Sequence, residues 1–79
     1  MDALTAATEA ADTTRPEDGL RAVAALRRLT DSLELAQVEA ALRAGMGWSE
    51  IASCLGVSRQ AVHKKYAKRV DPRLARHPR

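Results

Sequence analysis

Residues 48–66 read WSEIASCLGVSRQAVHKKY, and three positions within this stretch decide the fold. Ala52 is small, as a residue must be where two short helices cross closely. Gly56 follows four residues later, where a tight turn needs a positive φ that other residues resist. Val62 comes six residues after that and plugs the angle between the helices. Ile51, Leu55 and Val57 supply further apolar contacts. Ser58 stands where its hydroxyl can cap the second helix by accepting a bond from a first-turn N–H. The pattern predicts a helix from Trp48 to about Leu55, a turn at 56–58 and a helix over 59–68. Asp71-Pro72 then stops the chain's helical course, because the residue before a proline is pushed out of helical conformation.

Upstream, apolar residues recur at helical spacing. Ala22, Leu26, Leu29, Leu33, Ala36 and Ala40 make one stripe, widened by Leu20, Val23, Leu35, Val38 and Leu42. Pro16, Glu17 and Asp18 suit a helix start: proline lacks an N–H that has no helical partner there, and the acids complement the positive end of the helix dipole. Thr13 or Thr14 can provide the cap. Gly45 and Gly47, on either side of Met46, end the helix. Thr30-Asp31-Ser32 is the candidate break, since Asp31 and Glu34 have the spacing of a capping box for a second helix. With no glycine or proline there, one long helix over 16–44 is the preferred reading.

A helix of roughly 25 residues is close to 40 Å long. Two helices of about eight residues cannot cover both of its ends. The surplus apolar surface, centred on Val23, Leu26, Leu29 and Leu33, should be covered by something, and a second copy of the chain is the simplest cover. A homodimer through the long helix is therefore expected.

The flanking segments differ in charge. Residues 1–18 carry five acids against one arginine, whereas residues 58–79 carry eight lysines and arginines against one aspartate. A basic end of this density points to a polyanionic partner or to a solubilising tail. Residues 1–15, rich in Ala and Thr, read as a disordered acidic segment. Residues 71–79, with two prolines and three arginines, read as a basic arm.

The 79 residues allow one small domain, with little room for an enclosed active site. The composition favours helix formers, and no stretch alternates as a strand would. Cys54 is the single cysteine, which fits a reducing cytoplasm. There is neither an apolar run of membrane-spanning length nor a signal-peptide pattern. No Ser/His/Asp set, glycine-rich phosphate loop or metal-ligand cluster is visible, so neither an enzyme nor a metal or other cofactor is expected. His63 has no second ligand at metal-site spacing.

The segment 48–66 resembles the helix-turn-helix of bacterial repressors and activators, and the related sigma-factor and resolvase DNA-binding domains. The match rests on Ala52, Gly56 and Val62 and covers about 20 residues. The preceding helix more loosely resembles the leader helix of small actinobacterial helix-turn-helix proteins. One departure is Lys65, which stands at an apolar site of the family; Tyr66 must take over that contact. The resemblance implies an all-α fold, with a long N-terminal helix leading into a helix-turn-helix at 48–69 within a domain spanning 16–70. It also implies that the second helix enters the major groove of double-stranded DNA. Arg59, Gln60, His63 and Lys64 are then the candidate base contacts, arginine being suited to guanine and glutamine to adenine. Ser49, Ser58, Lys65, Lys68 and Arg69 are the candidate backbone contacts, and Arg73, Arg76 and Arg79 the candidate tail contacts.

The expected function is a homodimeric, sequence-specific transcriptional regulator in the cytoplasm, at the nucleoid. Its partners would be DNA and a possible protein of the transcription machinery, with no membrane. Two other readings stand beside it: a nucleoid-associated protein of low sequence specificity, and a protein-interaction module that uses the leucine-rich helix.

Overall fold

The computed structural model describes residues 2–75. Among these residues it is all-helical. Four helices have eight or more residues: α1 (Ala3–Ala11), α2 (Pro16–Arg43), α3 (Trp48–Leu55) and α4 (Arg59–Tyr66). A single further turn, α5, covers Pro72–Ala75. The chain divides into two units, Met1–Leu33 and Glu34–Arg79, and α2 contributes to both.

Two glycines end helices in the same way. Gly45 closes α2 at φ +90° and Gly56 closes α3 at φ +72°. After α2, Met46 donates to Ala41 O and Gly45 donates to Leu42 O, both at 3.0 Å. After α3, Val57 donates to Ala52 O at 3.0 Å and Gly56 to Ser53 O at 3.2 Å. Each is a Schellman closure, which satisfies the last carbonyls of its helix and requires a residue comfortable at positive φ.

The expectation of disorder over residues 1–15 is corrected: α1 occupies most of that segment. Its alanines favour helix, and the Asp2 carboxylate caps it by accepting the Thr5 N–H at 2.7 Å. The capping proposed for Thr13 or Thr14 is corrected as well. Asp12 accepts from the Thr14 N–H (2.9 Å) and hydroxyl (2.6 Å), which makes a local turn. The Arg15 carbonyl receives the first bond of α2, from Gly19 at 2.9 Å. Pro16 thus sits at the first helical position, as its missing N–H predicts. In this unit Ala6 and Ala22 are buried. Gly19 passes so near the end of α1 that a Cβ there would lie 3.5 Å from Asp12 O and 3.6 Å from Glu9 O.

No break occurs at Thr30-Asp31-Ser32; α2 is one helix of 28 residues. The apolar stripe read along it divides differently from expectation. In the second unit Val38 and Leu42 are buried and Leu35 and Ala41 pack beside them, while Ala36 and Ala40 are exposed. Positions two apart lie about 200° round a helix, so the face around Val38 excludes Ala36 and Ala40. In the first unit Leu26 is half-buried, and Leu20, Val23, Leu29 and Leu33 are exposed.

The core of the second unit joins Val38 and Leu42 to Ile51 and Ala52 of α3, Val62 and Tyr66 of α4, and Val70 beyond it. Met46 and Trp48 lie at its rim. The helix expected over 59–68 ends at Tyr66. There the Tyr66 carbonyl accepts from both Arg69 N (2.9 Å) and Val70 N (3.1 Å), and the tightened turn brings Val70 into the core. No helix among the described residues is long and apolar enough to cross a membrane.

Candidate nucleic-acid interface

The start of α4 is built by Ser58. Its backbone is extended (φ −77°, ψ 154°), and its Oγ accepts the Ala61 N–H at 3.1 Å. The hydroxyl proton stays available to donate outward. On α3 the first turn is held from the other direction: the Gly47 N–H donates to Glu50 Oε1 at 3.2 Å, half of a capping box. Ser49 is exposed in that same turn.

Helical spacing sorts the side chains of α4. Val62 and Tyr66 are four apart and face the core, with Tyr66 0% exposed. Gln60 and Lys64 share the outward line, Arg59 and His63 one flank, and Ala61 and Lys65 the other. All four candidate base contacts are exposed. Arg59, Gln60 and Lys64 have no hydrogen bond or ion pair among the described residues, and the same holds for Lys68. His63 is steadied by Trp48, whose ring it meets edge-on (82° between planes, centroids 5.2 Å apart).

Other candidates are engaged within the chain. Lys65, expected at the DNA backbone, reaches Glu34 of α2 at 3.3 Å and lies over the Tyr66 ring, 5.3 Å from its centroid. Arg69 lies over the same ring at 5.5 Å. Arg73, expected as a tail contact in a basic arm, grips Asp71 through Nε (3.3 Å) and Nη2 (2.9 Å). That pairing holds the Asp71 carboxyl below the usual aspartate range and raises Arg73. Arg76 and Arg79 lie outside the described residues.

Leu55 and Val57 were expected to pack inward, but they are 37% and 47% exposed. They stand at the end of an eight-residue helix and in the turn after it, with neighbours on one side only. Together with Ala61, Val62 and Tyr66 they line a shallow hollow of about 110 Å³. Cys54 is exposed.

Two anchoring acids were not foreseen. The Glu34 carboxylate accepts the Tyr66 hydroxyl as well as Lys65, and Glu39 Oε2 accepts the Asp71 N–H at 3.3 Å. The Tyr66 hydroxyl carried the signal for the first, because a buried tyrosine needs a partner for its O–H. Loss of surrounding water, and then the Glu34 carboxylate, raise the Tyr66 pKa above its ordinary value.

Comparison with protein-family models, characterised proteins and solved structures finds no match to this chain.

Proposed function

We propose that this chain binds double-stranded DNA with α4 in the major groove and regulates transcription as a homodimer. One observation carries the reading. Val62 and Tyr66 seat α4 on the core, while Arg59, Gln60 and Lys64 project from its first turns without intrachain partners among the described residues. Cations nearby at Lys65 and Arg73 are paired. Unpaired groups of this chemistry, at the end of a helix that leads into the groove, suit recognition of base edges. The left-handed Gly56 and the Ser58 cap of α4 support the resemblance to a helix-turn-helix. The exposed leucines of α2 support pairing of two copies, which would present two recognition helices about 34 Å apart.

Selection from a random duplex pool, followed by footprinting, tests the reading. A palindromic consensus is expected, and Arg59→Ala/Gln60→Ala should abolish the preference with the fold intact. Retention of sequence preference by that double variant would refute α4 as the reader. Uniform protection would instead favour a nucleoid-associated role, and binding that is insensitive to salt would count against DNA altogether.

A further inference from the structure

The pairing of Lys65 differs from an ordinary surface ion pair. Its partner Glu34 is itself anchored, because the same carboxylate oxygen accepts the hydroxyl of Tyr66, a side chain with no exposure. Withdrawing Glu34 would leave that hydroxyl without its acceptor, which is costly for a buried group. Lys65 therefore has a built-in counter-charge, held in place by the core. Its neighbours Lys64 and Lys68 have no such partner among the described residues.

We infer that Glu34 is a specificity-determining residue that withholds Lys65 from DNA phosphates. This rests on the DNA-binding reading of α4. Phosphate contacts add affinity without regard to sequence and make binding salt-dependent, because each releases condensed counterions. A lysine already neutralised by a fixed carboxylate contributes little to that term. Glu34 thus trims the sequence-independent part of binding on one flank of α4 and leaves Arg59, Gln60 and Lys64 facing outward. The family-like site at which Lys65 stands becomes a cation kept out of play.

The test uses the full chain and a fluorescent random-sequence duplex, with binding measured across salt concentrations. Glu34→Gln keeps an acceptor for Tyr66 but removes the charge. The affinity of this variant should fall about 3.5-fold more than that of the wild type between about 50 and 200 mM salt, the increment of one added phosphate contact. Lys65→Met alone should leave the wild-type salt slope unchanged, and Glu34→Gln/Lys65→Met should return to it. An unchanged slope in Glu34→Gln would overturn the inference. So would a steeper slope that persists in the double variant, which would reflect only the lost carboxylate charge. A shallower slope in Lys65→Met would mean that Lys65 already contacts phosphate, and this arm stands even if Glu34→Gln fails to fold. Wild-type chain that shows no salt-dependent binding would instead refute the DNA reading itself. Helical circular dichroism and Trp48 fluorescence report the fold of each variant.

Discussion

Gly56 carries a backbone demand rather than a packing one. At φ +72°, a Cβ added there would meet nothing within 4 Å. The cost of a side chain is therefore conformational strain alone, about 1–2 kcal/mol for an L-residue in the left-handed region. Gly56→Ala should lower the unfolding free energy by that amount in a urea titration, with no change in the size of the core. A loss well under 1 kcal/mol would show that the turn relaxes into another conformation. Tyr66 is the opposite case, since its demand is chemical. It fills the centre of the core and sends one polar atom to Glu34, so ring and hydroxyl have separate roles. Lys65 and Arg69 gather over that ring, which makes Tyr66 the meeting point of core and cationic surface.

At the scale of elements, most helix ends trace to one or two residues. Schellman closures finish α2 and α3, Ser58 starts α4 and Asp2 starts α1. The Asp2 cap gives a pH signature. Hydrogen bonds from Thr5, first from its backbone N–H, hold the Asp2 pKa below the ordinary aspartate value. A carboxyl whose folded-state pKa is depressed contributes stability that is fully present above its unfolded pKa and is lost as pH falls through the folded one. Helicity at 222 nm should therefore decline as the pH drops below the usual aspartate range. Asp2→Ala should already lack part of that signal at neutral pH and show a smaller acid decline. An identical acid transition in wild type and variant would separate α1 from this cap. The α2 helix shows a different lesson: one continuous helix can serve different neighbours along its length, so a single stripe drawn through all its apolar residues is too simple.

At the scale of the whole molecule, exposed leucines and DNA binding belong to one argument. Leu29 is 40% exposed and Leu33 59%, and four residues apart they share one face of α2. If a second copy covers α2, then Leu29→Asp/Leu33→Asp should shift sedimentation equilibrium from dimer to monomer and weaken the proposed DNA binding while the helical content stays the same. A wild-type chain that remains monomeric at every concentration would remove pairing from the functional reading. DNA binding through a single α4 would then have to be weak, since one recognition helix buries only a modest surface.

The local features were legible from residue order because local chemistry decides them. The Gly56 turn, the Ser58 cap, the stop at Gly45 and the inward Val62 each depend on neighbours within a few positions, and helical spacing keeps Arg59, Gln60, His63 and Lys64 off the face that Val62 and Tyr66 turn to the core. The α1 helix was missed although its signals are local, because scattered acids and threonines outweighed its alanines and the Asp2 cap. Other features depended on contacts across about 30 residues. Only the folded chain brings Glu34 to Tyr66 and Lys65, Glu39 to the Asp71 N–H, and Val70 into the core. The same holds for which apolar residues of α2 are buried, since helical spacing names the faces and the packing of α3 and α4 chooses among them. The segment 48–66 thus determined by itself two short helices joined by a turn at a left-handed glycine. Tertiary structure decided which of its cations remain free to meet a partner, because an ion pair forms where space, not sequence, brings two charges together.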